Sequence, residues 1–249
     1  MVILKLPEEI EKARASNQIV AEVLSKLRDK VKPGVTTREL DKLAEEIAEK
    51  RGARPAFKGY RGYPYSLCTS VNEEVVHGMP SSRVLKEGDI VGLDFGVLYK
   101  GFFGDSAITL PVGKIDAAAL QLLKVTEQSL YEGIAQAKEG NRLGDISGSV
   151  QQTVEAPGFS VVRDFVGHGI GRNLHEEPQI PNYGKKGRGL TLKSGMILAI
   201  EPMVNQGDYR VKILQDGWTV VTEDGRLSAH FEHSVAITDN GPDILSEVN

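Results

Sequence analysis

Four acidic residues stand where carboxylates are uncommon. Asp94 closes the apolar run Ile90-Val91-Gly92-Leu93, and Glu201 closes Met196-Ile197-Leu198-Ala199-Ile200. Asp105 opens DSAIT and Glu232 opens EHSVAIT, both β-rich. Most acidic side chains face water, and a carboxylate in a buried strand needs a partner. Several carboxylates brought together repel unless a proton or a cation lies between them.

The stretch Leu85 to Ala107, LKEGDIVGLDFGVLYKGFFGDSA, reads as two strands joined at Lys100-Gly101. A two-residue turn ending in Gly suits an antiparallel hairpin. If Tyr99 faces Phe102, Asp94 faces Ala107. Asp105 is two residues from Ala107, so Asp94 and Asp105 share one face as diagonal neighbours, roughly 7–8 Å apart at the backbone.

The chain repeats itself. LKEGDIVGLDFG from Leu85 lies over LKSGMILAIEPM from Leu192, placing Asp94 on Glu201. DSAIT from Asp105 lies over EHSVAIT from Glu232. A period of roughly 100 residues is too long for a solenoid unit. It fits a single catalytic domain, residues 1–249, built from two pseudo-symmetric halves of about 7–112 and 115–238. Each half offers an antiparallel hairpin covered by two helices. The expected fold is α+β: a curved antiparallel sheet, helices on its outer face, and an acidic concave centre.

Four carboxylates meeting at a pseudo-axis carry four negative charges, which two divalent cations would balance. An imidazole joins them if His168 is near, and its flanking Gly167 and Gly169 permit a tight backbone. Carboxylate and imidazole donors suit Mn²⁺, Fe²⁺, Co²⁺ or Zn²⁺ rather than Ca²⁺. Two such ions about 3.5–4 Å apart share and acidify one water, which is hydrolytic chemistry. The glycine-rich VGHGIGR lacks the lysine and spacing of a phosphate loop.

The elements that must position these groups follow from periodicity. Pro7 to Lys30 reads as a helix with Pro7 and two acids in its first turn. Thr36 and Glu39 have capping-box spacing for a second helix ending near Gly52. Helices are expected again from Asp116 to about Lys138 and from about Asp145 to Glu155. Strands are expected at Phe159–Phe165 and Met196–Val204. The turns Asp216-Gly217 and Asp224-Gly225 suggest a three-stranded meander.

Bulk composition excludes several classes. Of 249 residues 40% are apolar, enough for a sizeable core, and 30 basic against 34 acidic residues leave a net charge of −4. That is no nucleic-acid footprint. The one cysteine, Cys68, points to a reducing compartment. The N-terminus turns acidic too early for a signal peptide, and no apolar run approaches the roughly 18 residues of a membrane span.

Five separated motifs together resemble type I methionine aminopeptidases of the short bacterial kind, which have the pita-bread fold. They are VNEEVVHG (from Val71), LDFGVLYKGFFGDSA (from Leu93), GHGIGRNLHEEP (from Gly167), IEPM (from Ile200) and HFEHS (from His230). The resemblance implies Asp94, Asp105, His168, Glu201 and Glu232 as ligands of two metal ions, with Asp105 and Glu232 bridging. It implies His77 and His175 as non-ligand histidines contacting substrate, and Glu201 as proton shuttle. Tyr60, Tyr63, Cys68 and Trp218, with Phe57 nearby, match the pocket for the methionine side chain. Leu174 stands where relatives often have an aromatic, and Phe57 where some have cysteine. The implied activity is removal of N-terminal methionine from nascent chains when the second residue is small. The implied setting is a cytoplasmic monomer with transient ribosome contact, without nucleic-acid specificity or membrane association. Proline dipeptidases and aminopeptidase P share the fold but usually carry an extra N-terminal domain.

Overall fold

A computed structural model describes residues 2–247. In chain order it contains α1 (Pro7–Arg28), α2 (Thr37–Lys50), β1 (Arg54–Pro55), β2 (Leu67–Val71), β3 (Glu74–Val76), β4 (Ile90–Tyr99), β5 (Phe102–Pro111), α3 (Ala117–Ile134) and α4 (Leu143–Glu155). There follow β6 (Ser160–Val161), β7 (Gly167–Gly169), β8 (Glu176–Ile180), β9 (Ile197–Ile200), β10 (Met203–Asn205), β11 (Val211–Ile213), β12 (Val220–Thr222), β13 (Ser228–His230), β14 (Glu232–Thr238) and β15 (Gly241–Ile244). Among the described residues no helix is long and apolar enough to cross a membrane.

The hairpin has the expected register, with Tyr99 opposite Phe102 and Asp94 opposite Ala107. Lys100 and Gly101 both have positive φ, 48° and 81°, as a turn matching the strand twist requires. The main sheet runs β1-β4-β5-β14-β9-β7-β8, with β2 on β4 and β15 on β14. The two copies of the sequence repeat therefore meet side by side, Glu232 opposite Ala107 and His233 opposite Ser106. Hydroxyls fasten this junction. Ser106 Oγ donates to Glu232 O (2.6 Å), Ser234 Oγ to Asp105 O (2.9 Å) and Thr109 Oγ1 to His230 O (2.7 Å).

The repeats are not identical. Strict equivalence would set Glu201 opposite Ser234, as Asp94 is opposite Ala107. Instead Ala199 faces Ser234 and Ile200 faces His233, a slip of two residues. An even slip leaves every side chain on its original face, so Glu201 still points to the acidic side.

Two apolar cores cover the convex side. One gathers α1, α2, β2 and β4 around Val20, Leu27, Leu40, Leu67 and Phe95. The other gathers α3, α4, β9 and β14 around Leu122, Ile146, Leu198 and Val235. Helix α2 begins with the predicted box: Thr36 Oγ1 accepts from Glu39 N–H (3.2 Å), and Glu39 Oε2 accepts from Thr36 N–H (2.7 Å).

Four sequence expectations need correction. The strand expected over Met196–Val204 is two strands in different sheets, because Pro202 lacks a ladder donor and turns the chain after Glu201. The strand expected over Phe159–Phe165 is only Ser160–Val161; beyond it the chain bends to bring Phe165 edge-on to His77 at 5.7 Å. The tail is not one meander. β11 and β12 form a hairpin around Asp216-Gly217, but β12's other edge is taken by β3, and β13 pairs with β10. Helix α3 also stops at Ile134, short of Lys138. Its continuation tightens into three-residue turns, Gln136 N to Gly133 O and Ala137 N to Ile134 O.

Candidate active site

The concave face closes over one cavity lined by Phe57, Tyr60, Arg61, Tyr63, Cys68, His77, Asp94, Asp105, His168, Leu174, His175, Glu201, Trp218 and Glu232. Every site residue expected from the sequence lies in it. Arg61 and Leu174 complete the wall.

The carboxylates are held from behind. Helix α1 presses on β5 so closely that a Cβ on Gly104 would come within 2.7 Å of the Asn17 backbone nitrogen. There Asn17 Oδ1 accepts the Asp105 N–H (3.2 Å) and Ser16 Oγ donates to Phe102 O (2.9 Å). Opposite Asp105 stands Gly96, where a Cβ would lie 3.2 Å from Asp105 Oδ1 and 3.0 Å from the Phe57 ring. The glycine leaves the carboxylate its space. Asn182 Nδ2 donates to Glu201 O (3.1 Å) where the chain leaves β9.

His168 sits on β7, buried, between two glycines that cannot be replaced cheaply. A Cβ on Gly167 would lie 2.4 Å from Ala199 O, and one on Gly169 2.2 Å from Glu177 O. The ring Nδ1 is 2.9 Å from Gly169 O. A carbonyl can only accept, so Nδ1 carries the proton and Nε2 presents a lone pair. That lone pair faces Glu201 Oε1 at 3.6 Å. Two electron-rich atoms aimed at each other call for a cation between them.

The same conclusion follows from the unpartnered atoms. Asp94 Oδ1, Asp105 Oδ1 and Glu232 Oε1 are buried without a hydrogen-bond partner among the described residues. One ligand atom each from Asp105, His168 and Glu232 falls within a 4.8 Å cluster. Burial pushes the Asp94 carboxyl up to about 7, helped by the Glu201 charge and opposed by His230. Burial also raises Glu201 to about 8. Asp105 and Glu232 are driven well above the carboxylate range by burial and by neighbouring acids. Without a cation these groups resist ionisation. Divalent ions fit the donor set, as expected from the sequence.

On the rim, Tyr60 OH is 2.9 Å from His175 Nδ1, which leaves the other nitrogen, Nε2, free to reach into the cavity. Burial lowers the affinity of His175 for a second proton, helped by His168 and Arg61. His77 adopts φ 59°, uncommon for a non-glycine residue and frequent where a side chain is aimed at a reaction. Burial depresses its ring to about 4. Tyr63 meets Trp218 edge-on at 5.1 Å, and its hydroxyl is 3.1 Å from both Leu67 O and Gly78 O. Cys68 lies opposite Asp94 across β2 and β4, with its thiol pushed up by burial. Asp41 Oδ1 accepts from Ser66 N (2.9 Å) and Leu67 N (3.0 Å), fixing the start of β2 below this wall.

One buried group escaped the sequence reading. His230, 4% exposed, places Nε2 3.6 Å from Glu201 Oε2. The repeat could not reveal it, since its counterpart in the first copy is an apolar residue. The two-residue spacing of His230 and Glu232 was the available signal, because strand side chains alternate with that period.

The family model of metallopeptidase family M24 matches residues 11–239. The chain belongs to metallopeptidase family M24. It is 58% identical to the methionine aminopeptidase of Clostridium perfringens over 99% of both chains. It is 54% identical to methionine aminopeptidase 1 of Bacillus subtilis over the full length of both. The crystal structure of the Thermotoga maritima methionine aminopeptidase superposes with a TM-score of 0.98 at 52% identity, covering 99% of this chain and 100% of that one. The Pyrococcus furiosus prolidase shares the fold alone: 23% identity, TM-score 0.81, with this chain spanning 66% of that chain. This metallopeptidase is thus a hydrolase with the α+β pita-bread fold that the resemblance implies, its curved antiparallel sheet being the one expected from the repeat.

Proposed function

We propose that this metallopeptidase removes methionine from the N-termini of peptides and nascent chains whose second residue is small. One observation carries the reading: a wall of Tyr60, Tyr63, Cys68, Trp218 and Phe57 shares a cavity with the five metal-compatible side chains. An unbranched thioether is favoured against aromatic rings. The carboxylates supply a seat for charge immediately beside that slot. Relatives of high identity bear the matching name, and the fold neighbours of the prolidase type are distant.

Asp94, Asp105, His168, Glu201 and Glu232 would hold two divalent ions; Co²⁺, Mn²⁺, Fe²⁺ and Zn²⁺ all suit the donors. Ions bound there would supply an acidified water and polarise the scissile carbonyl. The remaining work falls to the chain. Glu201 takes a proton from the attacking water and delivers it to the leaving amine. With Nδ1 facing the Tyr60 hydroxyl, His175 offers Nε2–H to the developing oxyanion. Losing one such donor typically costs about 10²–10³ in turnover. His77, rigid in its left-handed conformation, holds the scissile amide nitrogen. The substrate's free, neutral amine would bind to an ion held by these carboxylates, which would confine cleavage to chain ends. Leu174, smaller than an aromatic, widens one side of the slot.

We further assign the enzyme to the cytoplasm as a monomer, a single domain of two pseudo-symmetric halves (about 7–112 and 115–238), with transient ribosome contact. The lone buried cysteine supports a reducing compartment.

The deciding experiment is peptide cleavage with defined metals. Met-Ala-peptides are cut and Xaa-Pro substrates are not; the reverse preference would replace the reading with a prolidase. Glu201→Gln nearly abolishes turnover while circular dichroism stays native. Substantial residual turnover would remove Glu201 from its role.

A further inference from the structure

Glu201 has an imidazole on each side, and the two differ. His168 Nε2, 3.6 Å from Oε1, belongs to a ring that lines the cavity. His230 Nε2, 3.6 Å from Oε2, belongs to a ring behind the carboxylate, outside the cavity wall. That nitrogen is buried and has no hydrogen-bond partner among the described residues. An unpaired buried polar atom is costly, so its position needs a reason.

The backbone of His230 is fixed from both sides. Its N–H donates to Thr109 Oγ1 (2.9 Å), and the same hydroxyl donates to its carbonyl (2.7 Å). Met203 lies opposite it across β10 and β13. The ring is therefore anchored to the junction of β5 with the following strands, while Glu201 sits in the break between β9 and β10. At 3.6 Å the pair is just beyond a hydrogen bond. A shift of a few tenths of an ångström in the carboxylate closes it.

We propose that His230 is a positioning residue for Glu201: its Nε2–H donates to Oε2 and turns Oε1 toward His168 and the centre of the cavity. The inference rests on the metal-binding reading of Glu201. Such outer partners orient a ligand without touching the ion, and their loss typically costs about 10–100-fold in metal affinity. A flexible carboxylate following a proline break gains most from a second anchor.

The test compares His230→Met, which keeps the reach and loses the donor, with His230→Gln, which keeps an N–H. Co²⁺ affinity is measured by calorimetry, Co²⁺ coordination by its visible absorption, and kcat and KM on a Met-Ala-peptide. His230→Met is expected to weaken Co²⁺ binding by about 10–100-fold, alter the visible band and lower kcat with little change in KM. His230→Gln is expected to return all three to within a few-fold of the unmodified protein. Unchanged affinity and kcat in His230→Met would reduce His230 to core filling and overturn the proposal. Equal damage in both variants would show that the imidazole itself is required and overturn the donor role. If His230→Met does not fold, His230→Gln decides alone: retained affinity supports the proposal and lost affinity overturns it. Failure of the unmodified protein to bind Co²⁺ would instead overturn the metal reading, and the proposal with it.

Discussion

The buried carboxylates make a prediction about the metal-free protein in which the sign is as informative as the size. A carboxyl raised in the folded state binds protons more tightly there than in the unfolded chain. Its contribution to stability is present below its unfolded value and is lost as pH rises through its folded value. For Glu201 that window runs from 4.5 to about 8, and for Asp94 from 3.8 to about 7. The histidines act oppositely. His77, His168 and His233 are each depressed from 6.5 to about 4, so they stabilise above 6.5 and cost stability only on acidification. Above about pH 7.5 they are nearly silent, leaving the acids in view. Between about pH 7.5 and pH 9, Glu201 accounts for a loss on the order of 1 kcal/mol and Asp94 for a smaller share in the same direction. Asp105 and Glu232, raised further, add to the loss. Urea unfolding of chelator-treated protein at the two pH values should show a drop of at least about 1 kcal/mol. The drop should shrink in Glu201→Gln. At the lower pH, Co²⁺ at a hundred times its Kd should stabilise the unmodified protein by about 2.7 kcal/mol. A metal-free protein equally stable at both pH values, or more stable at the higher one, would refute the picture of carboxylates crowded together without compensation.

Other perturbations test single contacts. Gly167→Ala puts a Cβ 2.4 Å from Ala199 O and must part β7 from β9; denaturation should reveal a loss of about 1–3 kcal/mol, together with weaker metal binding through displaced His168. Tyr60→Phe removes the 2.9 Å contact to His175 Nδ1 and should lower kcat by about 5-fold with metal affinity untouched, as calorimetry on the same sample would check. Asp41→Ala orphans two buried N–H groups, Ser66 and Leu67; thermal unfolding should register a cost of about 2–4 kcal/mol, and an unchanged midpoint would show that water replaces the carboxylate.

The sequence was most legible where local rules and the repeat agreed. The hairpin register followed from a two-residue turn, and it held because Lys100 and Gly101 adopt the positive φ that the turn needs. The acidic residues stood out because apolar strands surround them. What could not be read was where the second copy departs from the first. Pro202 ends a strand that hydropathy alone continues, and the two-residue slip at Ser234 is invisible to any pattern of period two. His230 was hidden for the same reason: its counterpart in the first copy is apolar. Strand partners such as β3 with β12 are long-range choices that depend on which edges remain free.

The junction of β5 with β14 also speaks to ancestry. Asp94 and Asp105 precede it in the chain, whereas His168, Glu201 and Glu232 follow it, and the strands that meet there pair through only two residues each. A half-length precursor forming a twofold dimer would bury the same strand against its own copy and gather four acids around one axis. Fusion would release the second copy from symmetry. It could then open its hairpin to admit β10 through β13 and recruit an imidazole, while the first copy kept the tight turn at Lys100-Gly101. On that view, the asymmetry between the acids is a record of one copy conserving the cation seat while the other acquired the chemistry.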